Sequence, residues 1–159
     1  MIRLRFVEGA GIDSDLIEIR ESVCMPIVPS HCECVDPENG EYIGQHASGG
    51  MMSRKPGYDA PFKGECFVDL PATDAQTKAF YDAARLAIGQ PYDMSAVLGF
   101  VMPGHFHIKF SAICSAKMFL LLRDVADWFP SHAPVVVPAH CIDPRDLLLI
   151  ISVVIVVPH

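Results

Sequence analysis

The chain has 159 residues, 12 of them basic and 19 acidic, for a net charge of -7. That balance, with the basic residues scattered, excludes a nucleic-acid binder that works by neutralising phosphates. A hydrophobic content of 51% excludes a disordered chain, and the length suits a single domain over residues 1–159 that buries a core without cross-links.

The opening stretch, MIRLRFVEGAGIDSDL, has no continuous apolar segment after its basic residues. It therefore does not read as a secretory leader, and the expected location is cytoplasmic. Ile2, Leu4 and Phe6 alternate with Arg3 and Arg5, which predicts a half-buried strand. Ser14 then caps a short predicted helix, SDLIEIR, before the breaks at Pro26 and Pro29. HCECV and EYIGQHA flank the turn signal Asp36-Pro37-Glu38-Asn39-Gly40 and predict a hairpin. MMSRK and ECFVDL predict two further strands.

Thr73 with Gln76 carries a capping-box signature. Phe80, Ala83, Ala84, Ala87 and Ile88 continue it at helical spacing until Gly89 and Pro91. Ser111 caps a second predicted helix, with Met118, Leu121, Leu122, Val125 and Phe129 as its apolar stripe and Pro130 as its stop. Two strands, PVVVPAHC and the apolar run Leu147 to Val157, complete the reading. That run is shorter than the roughly 20 residues a membrane helix needs, and its β-branched content favours a buried strand. The expected class is α+β, an antiparallel sheet packed against two main helices, with no stable membrane insertion.

The six cysteines, Cys24, Cys32, Cys34, Cys66, Cys114 and Cys141, read as reduced and mostly buried. Cys114 is the exception. It falls in the first turn of the second predicted helix, where free N–H groups favour a thiolate. A buried structural cysteine is the alternative. His31 sits on a strand, rigid enough for a general base, or is an ordinary core histidine. His46, on the returning strand, can orient the His31 ring, unless it is a surface histidine. Glu33 is the alternative orienting residue, two positions along the strand and so about 7 Å away. HCEC, His105, His107 and His140-Cys141 offer metal-binding side chains. Neighbours on one strand point to opposite faces, though, and paired C-x-x-C spacing is missing, so no metal and no cofactor are expected.

The order strand histidine, polar residue on the next strand, GQPYD at Gly89–Asp93, then a helix opening with Cys114-Ser115 resembles the circularly permuted papain-like hydrolases. These are the YiiX-type amidases related to the NlpC-type cell-wall peptidases. The resemblance spans about Ser30 to Trp128. It implies a permuted papain-like (NlpC-type) fold in which His31 is the general base, His46 the third residue, and Cys114 the nucleophile. Tyr92 in GQPYD would line the substrate pocket or the oxyanion hole. The chain departs from the family where Ala116 and Lys117 replace an acidic residue after Cys-Ser. The implied activity is that of a cysteine peptidase or amidase acting through a thioester, on a peptide or amide such as a cell-wall fragment. A lipid acyltransferase of the same fold and an inactive papain-like binding or structural module are the alternatives.

Overall fold

A computed structural model of the chain describes residues 1–9, 29–91, 114–129 and 142–156. Five strands, β1 (Ile2–Glu8), β2 (His31–Val35), β3 (Tyr42–His46), β4 (Gly50–Arg54) and β5 (Gly64–Leu70), form one antiparallel sheet in the order β4-β3-β2-β1-β5. Three helices accompany it among the described residues: α1 (Asp74–Leu86), α2 (Cys114–Leu120) and α3 (Pro144–Val156). The architecture is α+β, with a helix at Pro144–Val156 where the sequence pattern predicts a strand.

The β2–β3 hairpin forms where its turn signal stands. The Asp36 carboxylate accepts the Glu38 N–H at 2.9 Å, and the Asn39 side-chain oxygen accepts the Glu41 N–H at 2.8 Å. Gly40 takes a φ of 74°, a conformation that a side chain disfavours. Arg85 of α1 clamps the turn through both Asp36 oxygens at 2.6 and 3.0 Å. The predicted capping box is also present: Thr73 accepts the Gln76 N–H at 3.2 Å, and the Gln76 side chain accepts the Thr73 N–H at 3.0 Å.

Strand alternation separates two faces. Leu4, Phe6, Cys32, Cys34, Ile43 and Met51 enter the core, where they share an apolar cluster with Phe80 of α1, Met118 of α2 and Ile151 of α3. The opposite face carries Arg5, Glu33 and Gly44 in one cross-strand row. Arg5, read from the alternation as the outward side of β1, is only 1% exposed.

Two predicted elements are corrected. The second helix does not run to Pro130. After Leu120 it widens into a π-helical turn, Leu121–Val125, and ends where Asp127 adopts a φ of 45°. Val125, assigned to the apolar stripe, is therefore exposed, whereas Leu121 and Leu122 are buried. The apolar run after Asp143 is a helix, not a strand. The Asp143 carboxylate accepts the Asp146 N–H at 2.7 Å, and Pro144 takes the first helical position, which needs no N–H partner. Leu147, Leu148 and Ile151 turn inward, while Leu149 and Val153 face out. A run that is apolar all round hides that period, and the cap decides in its place. No helix among the described residues is long and apolar enough to cross a membrane.

Ser14 with the SDLIEIR helix, Tyr92, Ser111, His105, His107, the PVVVPAHC strand and His140-Cys141 lie outside the described residues.

Candidate active site

The row Arg5–Glu33–Gly44 builds the site. Gly44 faces Glu33 across the β2–β3 pair, and a Cβ there would stand 2.7 Å from the Glu33 Cβ. Glycine at 44 thus makes room for a carboxylate that is itself fully buried. The Arg5 guanidinium donates to Glu33 Oε1 at 2.6 Å, and the Tyr58 hydroxyl donates to Oε2 at 3.0 Å. Arg5 also meets Asp59 at 2.8 and 3.2 Å and Glu65 at 2.8 Å, and lies over the Tyr42 ring at 4.5 Å. Burial pushes the Glu33 carboxyl up, but His31 and Arg5 outweigh it and hold it below the usual carboxylate range.

Both histidines converge on the same oxygen. His31 Nε2 lies 3.4 Å and His46 Nε2 3.8 Å from Glu33 Oε2. The β2–β3 register, continued from Glu33↔Gly44, sets His46 opposite His31, and their ring centroids are 4.9 Å apart. The Tyr58 ring meets His46 edge-on at 5.2 Å. Neither Nε2 has an aligned hydrogen-bond partner, and both atoms are buried. One donor atom from each of His31, Glu33 and His46 falls within 4.8 Å of the others, a grouping able to hold a metal ion.

Cys114 closes the group from the helix side. α2 packs across β2 and β3 and sets this buried cysteine against His31 and Cys32. The Cys32 thiol, by hydrogen bonding to the Cys114 sulfur, favours its thiolate. Burial opposes this, and the His31 charge and the Cys32 backbone N–H add to the lowering, so the Cys114 pKa falls well below the ordinary thiol value. Cys32 moves the other way, pushed up first by burial and then by Cys114. Burial alone would push His31 down, yet the facing Cys114 sulfur and Glu33 raise it to about 10. His46 falls to about 4, through burial and then the charge of His31. The two imidazoles therefore differ at neutral pH: His31 is charged and His46 is neutral.

The segment before Tyr92 is anchored beside this group. Met51 N–H donates to the Gln90 carbonyl, and Gly89 N–H to the Met51 carbonyl, each at 2.8 Å. Gln45 Nε2 reaches the Pro91 carbonyl at 3.3 Å, and Lys117 of α2 donates to Gln90 Oε1 at 2.6 Å. Lys117 thus ties the cysteine helix to the GQP segment.

The structure brings Cys114, His31, His46 and Glu33 together; Tyr92 lies outside the described residues. Glu33 comes nearer to His31 than the 7 Å strand repeat suggests, because its carboxylate reaches back along the face that Gly44 leaves open. Sequence reasoning missed Arg5, Tyr58, Gly44 and Cys32. Arg5 facing an acidic strand position was the available signal for one of them; Tyr58 stands in a loop with none. Comparison with protein-family models, with curated proteins and with solved structures finds no match to this chain.

Proposed function

We propose that the chain is a cysteine hydrolase of the peptidase or amidase type, built on a permuted papain-like fold. The observation that carries this reading is the buried Cys114 sulfur set against His31, with Glu33 and His46 behind the imidazole. A thiolate beside an imidazolium is an activated nucleophile next to a proton donor.

The Cys114 thiolate attacks the carbonyl carbon of an amide or ester, giving a tetrahedral oxyanion. The Cys114 backbone N–H receives that oxygen, and Tyr92 is the second donor assigned from the family resemblance. His31 gives its proton to the leaving nitrogen or oxygen as the C–N or C–O bond breaks, leaving a thioester. Neutral His31 then takes a proton from water, hydroxide adds to the thioester, and acid and thiolate separate. Glu33 holds the imidazolium electrostatically, while His46 fixes the ring from the facing strand.

Incubation with p-nitrophenyl acetate and intact-mass analysis tests this reading. An acetyl adduct on Cys114, absent from Cys114→Ser and formed at least about tenfold more slowly in His31→Ala, is the expected outcome, general acid–base groups contributing about 10²–10⁴. Acetylation spread over several cysteines and indifferent to His31 refutes it.

A further inference from the structure

We infer that His31 Nε2, His46 Nε2 and Glu33 Oε2 form a binding site for a zinc-class divalent ion. The two imidazole nitrogens are the deciding observation. Each is buried without an aligned hydrogen bond, His31 Nε2 meeting Glu33 only as a 3.4 Å ion pair, and the His46 side chain is only 10% exposed. A buried polar atom left unpaired is costly, and two that face one carboxylate oxygen define a place for a shared electrophile.

The spacing fits. Zinc bonds imidazole nitrogen and carboxylate oxygen at about 2.0–2.2 Å, so tetrahedral ligands lie roughly 3.3–3.5 Å apart. His31 to Glu33 is already 3.4 Å, and His46 to Glu33, at 3.8 Å, needs a few tenths of an ångström of closure. The imidazole pair, within 4.8 Å, is the widest and closes by up to about 1.4 Å as the two rings turn toward the ion. Two imidazoles and one carboxylate favour zinc, cobalt or nickel over magnesium or calcium, which take oxygen ligands. The surroundings support a cation. Among the described residues, Arg5 is matched by three carboxylates, Glu33, Asp59 and Glu65, and Arg54 lies over the Tyr58 ring at 5.3 Å. Arg5 on Oε1 and Tyr58 on Oε2 hold the Glu33 carboxylate in place, as outer partners of a metal ligand do. The third ligand was hidden from sequence spacing because it comes from the facing strand.

Zinc bonds His31 Nε2 only as that nitrogen releases its proton to solvent, so bound metal and the His31 imidazolium exclude one another. Bound zinc therefore removes the proton donor that faces the Cys114 thiolate, a consequence that rests on the hydrolase reading; the binding itself does not.

The test uses the full chain in a non-thiol reductant, with zinc titrated against a chromophoric chelator and cobalt followed by its visible spectrum. One zinc per chain is expected, retained in Cys114→Ser and weakened at least about tenfold in His46→Gln and in His31→Gln, each checked for folding by circular dichroism. The cobalt complex should lack a sulfur-to-metal charge-transfer band. Binding unchanged in both histidine variants, a sulfur band, or no binding at micromolar free zinc overturns the site. Metal-free protein that forms no Cys114 thioester removes the hydrolase reading and leaves the zinc result standing.

Discussion

Arg5→Leu is the sharpest test of how the sheet supports the site. Arg5 is 1% exposed and Glu33 fully buried, and they meet at 2.6 Å in the middle of the β1–β2 pair. Leucine removes the guanidinium and leaves a fully buried carboxylate with His31 and the Tyr58 hydroxyl on its other oxygen. Breaking a buried pair on one side costs about 3–5 kcal/mol. With a urea m-value of about 2 kcal/mol/M for a chain of this size, the midpoint should fall by roughly 1.5–2.5 M. Trp128, the only tryptophan, reports the transition: it is nearly buried, and its indole N–H donates to the Pro71 carbonyl at 2.8 Å. The double variant Arg5→Leu/Glu33→Leu should recover more than half of the loss, because replacing both partners removes the stranded charge. Asp59 and Glu65, partly exposed at the sheet surface, rehydrate. A midpoint shift below about 0.5 M for Arg5→Leu, the range of a surface pair, refutes the claim that Arg5 neutralises a buried carboxylate.

Gly44→Ala puts a Cβ 2.7 Å from that of Glu33, so overpacking should cost about 1–3 kcal/mol in urea unfolding and slow Cys114 acetylation as Glu33 is displaced from His31. Thr73→Ala removes the capping oxygen of α1, for a loss of about 1 kcal/mol by the same unfolding assay and no change at Cys114. Unfolded His46 takes a proton below 6.5 and the folded residue refuses it until about 4, so stability should decline as pH falls between those values, and His46→Gln should flatten that slope in pH-dependent urea midpoints. Glu33 is depressed instead, so its contribution is fully present above 4.5 and is lost as pH falls through the lower folded value; that loss should survive in His46→Gln. His31, raised to about 10, keeps its proton below that value, so stopped-flow acylation by an amide or ester substrate should fall as pH rises through about 10.

The strands and the hairpin were legible because their signals are local. Alternation on Ile2–Phe6 and the Asn39-Gly40 turn need no tertiary partner to be read. The capping box at Thr73 is equally local. The run after Asp143 was not legible by period, since Leu, Ile and Val occupy every side of α3 and its buried stripe emerges only against the sheet. The end of α2 was hidden for a related reason: the π turn at Leu121–Val125 depends on how Leu121 and Leu122 pack, whereas Pro130 advertises a stop further on. At the site, the residue types and their strand placement were readable, but the charge network was not. Arg5 looks like a solvent-facing residue of an amphipathic strand until β2, β5 and the loop at Asp59 bring three carboxylates to it. Strand spacing ranks Glu33 behind His46 as the orienting residue because it ignores how far a glutamate reaches when the facing residue is glycine.

The couplings at the site are mutual. His31 and then Arg5 on β1 outweigh burial and keep Glu33 on β2 ionised, and the Cys114 sulfur and then Glu33 outweigh burial and raise His31. Charged His31 depresses both His46 on β3 and Cys114 on α2. The contacts among Arg5, Glu33, His31 and His46 are set on the sheet. The Cys114 contact depends on where α2 holds that residue, through Lys117 on Gln90 and Ser115 on the Ile142 carbonyl, each at 2.6 Å. The histidine–carboxylate trio is thus a property of β2, β3 and Arg5, and the thiol is a separate attachment to it. Losing the thiol leaves a set of donors intact and, with its competitor for His31 gone, better disposed to hold a cation; losing Arg5 weakens the trio and the nucleophile together. Thiol chemistry and metal binding therefore share a base but not a nucleophile, and Cys114→Ser and Arg5→Leu separate them by acting on opposite ends of the same chain of charges.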